Sequence, residues 1–169
     1  TGVVLATFGQ VDIQRGTEKI TAARKTPLAV NDEIHTGDNA RAQLRLADGT
    51  VTTLGANTDF RINRFDWQTK KGEKPNVQLE LVKGAFRTVT GKVMNTAGAE
   101  FKVTTPSGVL GIRGTDFWGG YLDPNAVDVL LIDGKHAVEV SNASGKVLLE
   151  KPGQGTTLKA DQSALVVKE

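Results

Sequence analysis

Valine, threonine and leucine recur at alternate positions along most of this chain, and short glycine-bearing turns interrupt the alternation at close intervals. A period of two places successive side chains on opposite faces of an extended backbone, so the pattern predicts half-buried strands. The predicted strands cover 2–8, 11–15, 40–46, 50–54, 59–65, 77–82, 85–89, 101–105, 114–121, 127–132, 136–141 and 146–151, with 166–169 as a last short piece. Asp48-Gly49, Lys71-Gly72, Lys83-Gly84, Asp133-Gly134 and Ser144-Gly145 separate them. Asp-Gly between apolar runs signals a hairpin, because a type I′ turn needs positive φ at both central residues. Many short strands at this spacing indicate a sandwich, barrel or solenoid. The expected fold is therefore all-β, a twisted solenoid-like or sandwich-like stack of short strands. The x-Gly unit recurs at Gly49, Gly84 and Gly134, at unequal spacings of 35 and 50 residues, which argues against a regular solenoid and permits an irregular one. A helix fits only around 17–23, where Gly16 and Pro27 confine it to a turn or two. The charged, loop-like stretch 69–76 is the expected mobile tip.

The run from Phe101 to Phe117 reads as strand but holds two glycines around an arginine, in Gly111-Ile112-Arg113-Gly114-Thr115. Before the glycines the stronger apolar side falls on even positions (Leu110, Ile112), whereas Phe117 falls on the odd side. That change of parity predicts a bulge or bend near Gly111 to Gly114. Arg113 then admits two roles. It clamps the bend through backbone carbonyls or through Asp116 or Asp133, or it binds an anionic ligand or a partner's carboxylate; the clamp is the expected role. Arg87 and Thr115 are read in the same structural way. Trp67, beside the charged loop, and Trp118, beside Gly119-Gly120, are the aromatic residues best placed to anchor a partner.

With 169 residues the chain falls in the single-domain range and can bury a core without staples, so one domain over 1–169 is expected. Lys and Arg (21) barely exceed Asp and Glu (19), which gives no reason to propose nucleic acid as a partner. Cysteine is absent, removing disulfides, thiolate metal sites and a thiol nucleophile together. No apolar run approaches the roughly 20 residues of a membrane helix. The chain begins Thr1-Gly2 without a methionine, which suggests a processed or truncated start from which an export signal has been removed. His35 and His136, the only histidines, stand 101 positions apart without companions at ligand spacing, so no metal site is expected. Ser107 lies in a turn-like Thr-Pro-Ser-Gly rather than a nucleophile elbow. Asp32, Glu33, Asp38 and Asp116 read as turn or surface residues rather than a glycosidase pair. Without a phosphate-binding loop either, no catalytic residue and no cofactor is expected.

Five short elements, in order, resemble the FecR domain of bacterial envelope proteins. They are Thr36-Gly37-Asp38, the hairpin Arg41 to Thr50 with its Asp48-Gly49-Thr50, Lys83-Gly84-Ala85-Phe86-Arg87, the Gly111 to Thr115 signature, and Asp133-Gly134-Lys135 followed by Pro152-Gly153-Gln154. The likeness spans about 8–158. It implies a solenoid-like stack of strands and a non-enzymatic sensing or protein-interaction domain, periplasmic or otherwise exported, with an envelope protein as partner and a link to signal transduction. Regulator-type members add a sigma-factor-binding segment and a membrane helix; the Gly-Ile-Arg-Gly-Thr spelling is closer to that of stand-alone exported members. The mechanism expected is presentation of sheet edges or turn-lined ridges, with 77–89 and 127–141 as the segments to probe. The alternative is a carbohydrate- or peptidoglycan-binding β-module that uses Trp67 or Trp118.

Overall fold

The computed structural model describes residues 1–68, 70, 72–134 and 136–159. Its strands form two sheets that face each other and do not close, a sandwich-like all-β arrangement. The first sheet runs, in spatial order, β17 (Gly155–Leu158), β14 (Ala126–Asp133), β13 (Asp116–Asp123), β10 (Ala85–Val89), β7 (Val51–Leu54), β6 (Arg41–Leu46), β1 (Gly2–Phe8) and β4 (Pro27–Leu28). The second runs β16 (Gly145–Leu149), β15 (Val138–Asn142), β12 (Gly108–Ile112), β11 (Glu100–Thr105), β9 (Asn76–Lys83), β8 (Asp59–Asp66), β5 (Glu33–Thr36), β2 (Val11–Arg15) and β3 (Glu18–Thr21). Neighbouring strands are antiparallel except β9 and β11. A short 3-10 turn, Lys92–Asn95, is the helical element among the described residues, and no helix is long and apolar enough to cross a membrane.

The chain shuttles between the sheets. After β6 and β7 in the first sheet come β8 and β9 in the second; β11 and β12 in the second lead to β13 and β14 in the first, then β15 and β16 in the second. Both sheets advance in the same direction along the sequence, which gives the stack its solenoid-like progress. Alternation supplies the core. Phe60, Ile62, Leu79, Leu81, Phe86 and Phe117 are fully buried between the sheets, while their sequence neighbours face outward. Phe86 sits at the centre, 5.7 Å from the Phe60 ring and 5.5 Å from Phe117 in an edge-on contact. Gly119 makes room for it, since a Cβ there would stand 2.8 Å from the Phe86 ring.

Several local expectations change. The helix expected over 17–23 is strand β3, hairpinned onto β2 with Arg15 opposite Glu18. Gly16, at φ +60°, occupies the first position of the two-residue loop, where a type II′ turn asks for glycine. Asp48-Gly49 does join a hairpin, but only Gly49 has positive φ, and the Leu46 amide bonds to the Thr50 carbonyl across a three-residue loop. Lys83-Gly84 and Asp133-Gly134 do not make hairpins. Each carries the chain from one sheet to the other. The strands β4, β5, β12 and β17 had no separate place among the elements expected from the sequence. Of those expected elements, 166–169 lies outside the described residues, as do Thr69 and Lys71 of the charged loop and Lys135 of the last turn motif.

The segments 77–89 and 127–141 are no sheet edges. β9, β10, β14 and β15 each have a strand on both sides, and the margins of the sheets are β17, β4, β16 and β3.

Candidate interaction site

Gly111-Ile112-Arg113-Gly114-Thr115 is a crossing between sheets, which explains the parity change. β12 ends at Ile112 in the second sheet and β13 starts at Asp116 in the first, so three residues re-aim the chain. Gly114 stands at φ +92°, in the left-handed region that side chains rarely adopt. Thr115 secures the corner. Its buried hydroxyl donates to the Asp133 carbonyl at 2.7 Å, its amide donates to Thr90 Oγ1 at 2.9 Å, and its carbonyl accepts the Thr90 amide at 3.1 Å. Gly134 must be glycine at this contact, because a Cβ would fall 2.6 Å from Thr115 Oγ1 and its φ is +142°.

A second corner closes against the first. The buried Asp48 carboxylate accepts the Thr50 amide at 3.0 Å, the Thr50 hydroxyl at 2.9 Å and the Val93 amide at 3.1 Å. Thr50 Oγ1 in turn accepts the Gly91 amide at 2.9 Å, and the Asp48 carbonyl accepts the Lys92 amide at 2.9 Å. The hairpin Asp48-Gly49-Thr50 therefore holds the 3-10 turn in place. Together Asp48, Gly91, Gly114, Thr115, Gly134 and His136 line an open cavity of about 640 Å³ at one end of the sandwich. Motifs scattered over almost 90 positions of sequence meet there.

Arg113 does not clamp the corner. It is exposed, and among the described residues it makes no hydrogen bond or ion pair. Its expected partner Asp116 is taken by Arg87, whose Nε and Nη2 donate to the two carboxylate oxygens at 2.9 and 2.7 Å. Those bonds and the carboxylate charge hold the Arg87 guanidinium above its ordinary pKa. The Asp133 carboxylate accepts the Gly134 amide at 2.8 Å. The structural part of the signature is thus carried by Ile112, buried in the core, by Gly114 and by Thr115. Arg113 and Gly111 line a second groove, of about 510 Å³, that shares Met94 and His136 with the first.

Trp67 is half-buried and packs against the core. Trp118 is also half-buried, on the outer face of the first sheet opposite Leu130, with its ring close against Gly120. Ser107 shares a hydrogen bond of 3.0 Å with the Tyr121 hydroxyl. Asp32 is fully buried and grips Arg15 through two bonds of 2.8 and 2.7 Å. Sequence reasoning missed one cluster. His35 and Asp59 lie opposite each other on β5 and β8, His35 Nδ1 meets Asp59 Oδ1, and Glu33 stands 3.7 Å from His35 Nε2. These three could hold a metal ion, although Arg61 pairs with Glu33 at 2.8 Å and Lys83 with Asp59 at 3.7 Å. Glu33-x-His35 on one strand face was the available signal; the third member depends on which strand becomes the neighbour.

The model of the family described as FecR protein matches residues 32–148. Among solved structures, two crystal structures of a Parabacteroides distasonis protein, provisionally assigned as an anti-sigma factor, superpose with a TM-score of 0.62 at 22% identity. The superposition covers 80% of this chain and 58% of that one, so the chain spans little more than half the length of its structural relative. Among curated proteins none matches.

Proposed function

The chain belongs to the FecR protein family, and on that premise we propose that residues 1–169 act as one non-enzymatic sensing and protein-interaction domain of the bacterial envelope, exported to the periplasm and serving signal transduction. The observation that carries this reading is the convergence of three of the family's glycine motifs, Asp48-Gly49-Thr50, Gly114-Thr115 and Asp133-Gly134, on one end of the sandwich. Buried Asp48 and Thr115 fix the turns there, and among the described residues the side chains left facing the grooves belong to no nucleophile-base pair. Ser107 is engaged with Tyr121. The anti-sigma-factor assignment of the structural relative supports a signalling role by analogy of fold.

The test places photo-crosslinking residues at Asn95 and Lys92, which face the first cavity, and at Leu122, exposed near the far end of β13, in cells of a bacterium that expresses the full gene product. Capture of one discrete envelope protein from the first two positions and not from the third is the expected result. A second reading rests on Trp118, whose ring over Gly120 beside Leu130 offers a flat apolar platform of the kind that stacks on sugar rings. Retention on peptidoglycan that Trp118→Ala abolishes would favour it and displace the protein-interaction reading.

A further inference from the structure

We infer that the groove beside Arg113 is a carboxylate-recognition site for an extended acidic segment of a partner protein. This rests on the protein-interaction reading above and adds the chemistry of the partner.

Charge is the first argument. Both carboxylates that line the groove have a cation nearby: Glu139 lies 3.8 Å from Lys146 and Glu100 lies 4.0 Å from Lys102. The Arg113 side chain has no ion-pair partner among the described residues. What remains uncompensated is positive, and it centres on a guanidinium whose donor fork matches a carboxylate in two parallel bonds. An arginine at a glycine corner would ordinarily spend those donors on local carbonyls. Here Thr115 and Thr90 satisfy the corner instead.

Shape is the second argument. Gly111 pairs with Lys102 on one side and Glu139 on the other, and forms the floor of the groove. A Cβ on Gly111 would meet only Glu139 atoms, at 3.7 and 3.8 Å, so the fold itself does not demand glycine there. Its φ is not positive either. The missing side chain leaves a trough between Lys102, Arg113 and Glu139, bounded by Met94 and Gly98. A trough of that kind accommodates a peptide backbone lying flat, with an acidic side chain turned to Arg113. Because β12 is paired on both sides, the peptide lies on the sheet face and adds no strand.

The test uses a fluorescein-labelled octapeptide of alternating Ser and Glu, with its Ser-Gln counterpart as control, titrated against the whole chain by fluorescence anisotropy. Saturable, salt-sensitive binding of the Glu peptide alone is expected, with amide shifts at Gly98, Gly111 and Arg113. Arg113→Ala and Gly111→Val should each weaken it roughly ten-fold or more while the melting temperature holds. Equal binding of both peptides, no saturable binding, or retained affinity in Arg113→Ala would overturn the site. Inorganic phosphate displacing the peptide at matching concentration would overturn the peptide assignment in favour of a small-anion site. If these results fail while crosslinking from Lys92 and Asn95 still captures an envelope protein, only this inference falls; if crosslinking also captures nothing, the functional reading falls with it.

Discussion

Asp48 and Arg113 show how differently two charged residues in neighbouring motifs behave. The Asp48 carboxylate is buried and accepts three hydrogen bonds, so Asp48→Ala strands the Thr50 and Val93 amides and should lower stability by about 1–3 kcal/mol in urea unfolding. Arg113→Ala removes an exposed side chain without a protein partner among the described residues, and its thermal midpoint should match that of the parent. Nothing in the sequence distinguished these two outcomes. Asp116 is three residues from Arg113, yet the β10–β13 register delivers it to Arg87. Glycines divide in the same manner. Gly16 (φ +60°) has open space around its absent Cβ, so Gly16→Ala should cost roughly 1–2 kcal/mol for the left-handed backbone alone. At Gly84 (φ +90°) a Cβ would also stand 2.5 Å from the Thr58 Cα, and the added overpacking should bring Gly84→Ala to roughly 2–5 kcal/mol.

Strands were legible wherever one face is buried and the other solvated, because burial writes itself as a period of two. β6, with its strictly alternating buried and exposed residues, is the clearest case. Legibility failed where that contrast is weak or the segment short. β5 is four residues of Glu-Ile-His-Thr, and β4 is two. Around Gly111 to Thr115 the alternation was visible but its cause was not: a change of parity within one sheet and a passage between two sheets leave the same trace. Turn residues had the same ambiguity, since positive φ at Gly84 or Gly134 serves a corner as well as a hairpin. The architecture does fix which strands should protect their amides. Strands β10, β11 and β12, paired on both sides and rich in buried residues, should exchange hydrogen slowest, and the margins β3, β4 and β16 fastest. Fast exchange in β11 or β12 would contradict their interior places in the second sheet.

At the scale of the whole molecule, the seventeen strands and one 3-10 turn of the described residues should give a far-ultraviolet circular dichroism spectrum without helical bands. Phe86 ties the sheets together at the centre, and Phe86→Ala should destabilise the domain by about 3–5 kcal/mol, measured by denaturant unfolding. The steady advance of both sheets along the sequence has a temporal side. Each new strand docks on one laid down shortly before it, as β7 receives β10, β10 receives β13 and β14 receives β17. A chain emerging amino end first, from a ribosome or a translocation channel, can therefore complete its layers in the order in which they appear, each sheet growing at one margin. Nothing already assembled has to wait for the carboxyl end to arrive.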